Sequence, residues 1–194
     1  MIEVRPLTGA ALDGALDDVA RLRIAVFRDW PYLYDGDVAY ERRYLQVYRD
    51  SPDAVVVGAF DGDRLVGAAT GMPLADHADD FAGAFEGSGI DMGEVFYCAE
   101  SVLLPDCRGQ GIGHRFFDAR EAHAKKLGFG KVAFCGVVRP ADHPLRPDGA
   151  RSLEPFWRGR GYASLPGVVA RFSWKDIDQQ AETDHPLQFW MREI

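Results

Sequence analysis

Cysteine is scarce in this 194-residue chain, and its three copies, Cys98, Cys107 and Cys135, are odd in number and lack Cys-x-x-Cys spacing. That excludes a disulfide framework and a zinc knuckle, so reduced, partly buried thiols are expected. The five histidines include no His-x-x-x-His pair, and no metal is expected. No apolar run approaches the roughly 20 residues that a membrane span needs. Met1 to Arg5 do not form the basic-then-apolar pattern of a targeting segment, so a cytoplasmic protein without membrane contact is the expectation. Lysine occurs only at 125, 126, 131 and 175, and acidic residues spread along the chain give a formal net charge of -8. A nucleic-acid surface, which needs clustered basic residues, is excluded.

What the chain does have is length and pattern for one domain over 1-194, with an acidic, Gly-rich insertion at about 74-93. Ile2 to Leu7 alternates like a strand. Leu16, Val19, Ala20, Val26, Phe27 and Trp30 fall at helical steps. Asp37 can cap a second helix whose inner face is predicted to be Tyr40, Tyr44, Val47 and Tyr48. Residues 54-60 and 64-72, joined at Asp61-Gly62-Asp63, read as a hairpin buried on both faces. A short helix is predicted over 79-85 within the insertion. Residues 94-104, 113-127 and 131-138 then form a strand, a helix and a strand with a parallel crossover. A Pro-rich loop at 139-149, a short helix at 152-160 and two alternating closing strands at 168-174 and 187-192 complete the order. An open edge among those last strands, which end in Phe189-Trp190-Met191, would support a homodimer.

Chemistry concentrates in Arg108-Gly109-Gln110-Gly111-Ile112-Gly113. Alternate glycines between a strand and a helix permit positive-φ turns and leave no side chains to block a phosphate. The helix N-terminus supplies free N–H donors, and Arg108 adds a formal charge. A tight strand-helix connection would also want glycine. The spacing is neither the Gly-x-Gly-x-x-Gly of dinucleotide sites nor the Lys-Ser/Thr ending of a nucleotide P-loop, since His114 follows.

With its flanks, the segment Leu103-Leu104-Pro105-Asp106-Cys107-Arg108-Gly109-Gln110-Gly111-Ile112-Gly113 resembles the acetyl-CoA motif of the GCN5-related N-acetyltransferase (GNAT) superfamily, Arg/Gln-x-x-Gly-x-Gly/Ala. Downstream, Phe156-Trp157-Arg158-Gly159-Arg160-Gly161-Tyr162 is similar to the family's aromatic helix closing on Gly-aromatic. The resemblance covers nearly the whole chain. It implies an α/β fold with a mixed, largely antiparallel sheet of about seven strands flanked by helices, splayed in a V between strands four and five. It also implies acetyl-CoA as the donor. Backbone at Val102, Leu103 and Leu104 would hold the pantetheine arm, the amide of Leu104 would serve as an oxyanion donor, and Arg108 to Gly113 with His114 would bind the pyrophosphate.

The implied reaction is acetyl transfer to a primary amine of a small molecule by direct attack on the thioester. The amine must lose a proton, and Glu100 is the first candidate base, with Glu94 second. A strand bulge would reverse which side these residues face, and Glu100 has an alternative reading as a carboxylate that ties down neighbouring loops. On the acceptor side the candidates are Tyr32, Tyr34, Arg139 and His143: aromatic faces suit an organic cation, whereas arginines suit a carboxylate. Where relatives often place a Tyr to protonate the departing thiolate, this chain has Trp157, whose indole N–H cannot act as an acid at neutral pH. That departure sustains the alternative of a non-catalytic acyl-CoA-binding module.

Overall fold

A computed structural model describes residues 2-194. Its sheet has the strand order β1-β2-β3-β4-β6-β8-β7, with β5 also paired to β3. In chain order the elements are β1 (Glu3–Leu7), α1 (Ala10–Phe27), α2 (Val38–Asp50), β2 (Val55–Asp61), β3 (Arg64–Pro73), α3 (Ala78–Phe85), β4 (Val95–Tyr97), β5 (Ser101–Leu103), α4 (Ile112–Lys126), β6 (Lys131–Val137), α5 (Glu154–Gly159), β7 (Ala163–Trp174) and β8 (Thr183–Glu193). All pairings are antiparallel except β4 with β6.

The apolar run in β2 is buried on both faces because helices cover both sides of the sheet. Val55, Val57 and Ala59 pack towards Ile112, Phe116 and Phe117 of α4. Val56 packs with Val19 and Ala20 of α1 and Leu45 and Tyr48 of α2. This alternation is what a strand's two-residue period imposes when both faces are dry. A third cluster joins Phe81 and Phe85 of α3 to Tyr97, Cys135, Leu187 and Phe189. The acidic stretch at 74-93 thus contributes core side chains as well as surface charge, and its predicted short helix is α3.

Helix α2 turns differently from the expectation. Asp37 does cap it, accepting from the Tyr40 amide at 2.8 Å. Glu41, Leu45 and Tyr48 face inward, however, while Tyr40 and Val47 are 50% and 41% exposed. The cause is Arg23 of α1, which pairs with Glu41 in the dry space between the two helices. Satisfying a buried charge outweighs the burial of one more Tyr or Val.

The predicted strand over 94-104 is broken. Against β3 its two pieces lie on one line, with Phe96 and Tyr97 opposite Pro73 and Met72, and Ser101 to Leu103 opposite Ala69 to Gly67. Against β6 only Val95 to Tyr97 pair, and the last bond runs from the Cys98 amide to the Ala133 carbonyl at 2.8 Å. Beyond it β6 continues to Val137 bonded to β8 alone, so β5 and β6 part in a V. Among the described residues no helix is long and apolar enough to cross a membrane.

Candidate active site

The glycine loop sits where β5 leads through a 3-10 turn into α4. Gly109 and Gly111 have φ of +77° and +75°, left-handed values that β-branched residues resist. Gly111 is the N-cap, and the first intrahelical bond closes from Arg115 N to Gly111 O, leaving the amides of Ile112, Gly113 and His114 as free donors. No acidic residue lies in the first turn, and His123, Lys125 and Lys126 occupy the last, an arrangement that complements the helix dipole at both ends. Arg108 donates to the Leu103 carbonyl at 3.2 Å, His114 Nδ1 meets Arg160 at 3.2 Å, and the ring of His114 packs on Phe156.

Residues Arg108, Gly109 and Gly111 to His114 border a cavity of about 670 Å³ that runs along the V. Gln110 is exposed and lies outside that lining. Which backbone groups of β5 face the cavity follows from its bonds to β3. Thr70 N donates to Glu100 O, and Leu104 N donates to Val66 O, both at 3.0 Å. By strand alternation the peptide groups of Val102 also face β3, whereas those of Ser101 and Leu103 face the open V. Two expectations are therefore corrected. The Leu104 amide is committed to Val66 and has no free N–H for an oxyanion. Of Val102, Leu103 and Leu104 only Leu103 turns its backbone to the cavity, with its amide free and its carbonyl already accepting from Arg108, and Ser101 joins it.

The break itself is held by Arg120 of α4, which is 1% exposed. Once the strand kinks, the Glu100 amide leaves the ladder for Thr70 Oγ1 at 3.4 Å. Arg120 fills the gap, donating to Thr70 O at 3.2 Å, Glu100 O at 3.0 Å and Ser101 Oγ at 2.8 Å. A guanidinium suits this task because its fixed fork reaches several acceptors at once.

A second cavity, of about 430 Å³, opens between α1, α2, α3 and β7. The two cavities share Phe27, Tyr32, Ala99, Glu100 and Cys135. Glu100 accepts from Arg23 on one oxygen and from the Tyr44 hydroxyl at 3.1 Å on the other. Its side chain is 11% exposed. Arg23 also holds Glu41, so one guanidinium serves two buried carboxylates. Burial is the main cause that pushes the phenols of Tyr32 and Tyr44 well up, with the Glu100 charge adding to it. Burial likewise pushes the Cys135 thiol up to about 12 and the Cys98 thiol to about 11, so neither is a ready nucleophile or acid at neutral pH.

The remaining expectations divide. Tyr32 lines both cavities and Tyr34 the second. Glu94 does not reach either; it is a 3-10 turn residue at the far end of β4, 62% exposed and paired with Lys131 at 2.7 Å. Arg139 is spent inside the protein, on Asp176 at 2.7 Å and 2.8 Å and on the carbonyls of Pro31 and Tyr32. His143 packs on Trp30 and takes the Leu145 amide, outside both linings. Trp157 borders the first cavity, wedged on Phe134 and Trp190, and comes so close to β6 that a Cβ on Gly136 would meet its ring at 2.9 Å. Sequence reasoning missed Arg23, Glu41, His77 and Arg120. A signal existed for Arg120 alone, an arginine in register with Phe116, Phe117 and Ala124 on the inner face of α4.

The splayed mixed sheet and the glycine cradle beneath it define an acyltransferase of the GNAT type. The chain belongs to the acetyltransferase (GNAT) family, whose family model matches residues 19–147, and it is an N-acetyltransferase by class. No curated protein sequence matches it. Among solved structures it is similar to a ribosomal-protein-alanine N-acetyltransferase from Brucella melitensis, at 12% identity and a TM-score of 0.62, with 99% of each chain covered. It is also similar to a Drosophila melanogaster polyamine N-acetyltransferase that forms N-acetylagmatine, at 14% identity and 0.63, with 100% of both chains covered. A GCN5-related N-acetyltransferase from Kribbella flavida gives 14% and 0.60, with 100% of this chain and 98% of that one covered.

Proposed function

We propose that the protein transfers the acetyl group of acetyl-CoA to a primary amine of a small molecule, by direct attack of the amine on the thioester. The observation that carries this reading is the shared wall: a phosphate-cradling cavity and a separate, partly acidic cavity meet only around Phe27, Tyr32, Ala99, Glu100 and Cys135.

The chain's own groups fit such a donor. Free amides at Ile112 to His114 suit a diphosphate, and the backbone of Ser101 and Leu103 suits an extended amide-bearing arm entering the V as an added strand. Acetyl-CoA supplies the activated acyl group. Glu100 is the carboxylate at the meeting point and takes the proton from the amine, directly or through a water. Arg23 and Tyr44 fix its orientation, while Arg120 fixes its backbone. Trp157 shapes the donor cavity and supplies no proton. The acceptor cavity is small and walled by α2 and α3, which favours a small amine over a protein segment, and the polyamine enzyme among the structural relatives has such an acceptor.

Acetyl-CoA at millimolar concentration is expected to raise the melting temperature, as any ligand of the native state must. Thiol release is expected with some member of a panel of small amines. Binding without release across the panel would return the chain to a sensing module. Glu100→Gln is expected to lower kcat by about 100-fold or more, the usual range for a positioned base. Acetyl-CoA affinity should change little, and an unchanged rate would remove Glu100 from the mechanism.

A further inference from the structure

Neighbouring side chains at the kink between β4 and β5 go to opposite sides of the sheet, as strand alternation requires. Glu100 is held on the acceptor side by Arg23 of α1 and Tyr44 of α2. Ser101 turns to α4, where its Oγ lies 2.8 Å from a terminal nitrogen of Arg120. Ser101 is exposed, and it lines the donor cavity but not the acceptor cavity. A guanidinium can only donate, so the Ser101 oxygen accepts and its own proton must point elsewhere. Among the described residues no acceptor takes that proton.

Arg120 differs from most buried cations in its company. It is 1% exposed, and its hydrogen bonds go to the carbonyls of Phe116, Thr70 and Glu100 and to the Ser101 hydroxyl, none of them to a carboxylate. Buried charges are ordinarily paired, so an unbalanced positive charge lies at the wall of the donor cavity. Its field reaches sulfur there: burial pushes the Cys98 thiol up, and Arg120 is the foremost influence in the opposite direction. The other charged groups of the lining are engaged, Glu100 with Arg23 and Tyr44, and Arg108 with the Leu103 carbonyl at the phosphate end. His114 is tied to Arg160, and burial keeps the protons of Tyr32, Cys98 and Cys135 in place at neutral pH.

We propose that Ser101 is a catalytic residue whose hydroxyl donates to the leaving sulfur, and that Arg120 is the positioning residue that orients and polarises it. This rests on the proposed transfer from acetyl-CoA, and it adds the group that meets the charge on the donor side, a task for which Trp157 is unfit. An arm that runs along β5 from the glycine loop to the shared wall passes Ser101 one residue before Glu100. As the amine nitrogen bonds to the carbonyl carbon, its proton passes to Glu100. The carbon–sulfur bond then breaks, and its electron pair stays on sulfur. The thiolate is held by the Ser101 O–H and the Arg120 charge, leaves as an anion and takes a proton from water after release. A donor already aimed at the developing charge needs no reorganisation when the bond breaks.

The test requires no acceptor. Calorimetry compares CoA with desulfo-CoA, which lacks the sulfur, from about pH 7 to about pH 9.5, where an aliphatic thiol ionises. A site that favours the thiolate makes the bound thiol ionise at lower pH than the free one, so CoA gains affinity as pH rises and desulfo-CoA does not. For a lowering of one unit, the Kd ratio of desulfo-CoA to CoA should rise about fivefold across this range. Ser101→Ala should flatten that rise while desulfo-CoA binds within about twofold of the parent. Ser101→Thr, which keeps the hydroxyl, should retain it. Arg120→Met should flatten it as well, and if that variant fails to fold, the two Ser101 variants decide. A flat ratio in the parent, or a rise that survives Ser101→Ala, would overturn the proposal. Failure of both ligands to bind the parent would instead overturn the donor assignment beneath it.

Discussion

Arg139→Met is expected to cost about 3–5 kcal/mol of stability, the range seen when one partner of a buried ion pair is removed. The Arg139 and Asp176 side chains are 6% and 5% exposed, and methionine would leave the carboxylate buried with only Trp174 Nε1 at 3.0 Å and the His185 ring at 3.4 Å. For a chain of this length that loss corresponds to a melting-temperature drop of about 10 °C. The pH dependence has a defined sign. In the native protein the His185 pKa is lowered, first by burial and then by Arg139, so stability falls as pH drops below the ordinary histidine value. Without Arg139 one of the two lowering causes is gone while burial remains and Asp176 still favours the charged ring, so acid destabilises the variant less than the parent. The deficit should be smaller at pH 5 than at pH 8 in thermal melts, and an equal deficit at both would show that His185 does not respond to the pair. Because Arg139 also holds the carbonyls of Pro31 and Tyr32, the acceptor KM should rise as well.

Gly111→Val should abolish most donor binding while leaving the fold. A Cβ at Gly111 meets no atom within 4 Å, so the penalty arises from φ = +75° alone. Forcing an L-residue into that region costs about 1–2 kcal/mol, and more when it is β-branched. The backbone relieves the strain by rotating, which turns the amides of Ile112 and Gly113 off their common focus. An increase of about 30-fold or more in the Kd for acetyl-CoA is expected, equivalent to about 2 kcal/mol. Gly111→Asn, which tolerates the left-handed region, should lose less. Titration calorimetry distinguishes the outcomes, and a valine variant that binds within threefold of the parent would sink the cradle.

The parts of this molecule that were legible in the sequence are those with local causes. The glycines at 109 and 111 announce positive φ, Asp37 announces a helix start, and the apolar run over 54-60 announces a strand covered on both sides. The parts that were not legible depend on pairs far apart in the chain. Glu41 in an exposed-looking helix reads as solvent-facing until Arg23, 18 residues earlier, draws it inward. His77 lies in an acidic stretch that gives no periodicity to read, yet its ring is buried beside Phe81 and Tyr97. The Leu104 assignment failed for a subtler reason. Whether a strand amide points left or right is fixed by its register with β3, and no single-strand pattern records that register.

The one-sided pairing of β5 has a consequence for the protein's exchange with water. Val102 and Leu104 bond to β3, so their amide hydrogens leave only when that pairing opens, on the timescale of the sheet itself. Ser101 and Leu103, one residue away on either side of Val102, face the V and share none of that protection. Deuterium uptake along this short segment should therefore alternate between slow and fast from one residue to the next. An extended ligand lying in the V would silence the fast positions and leave the slow ones as they were.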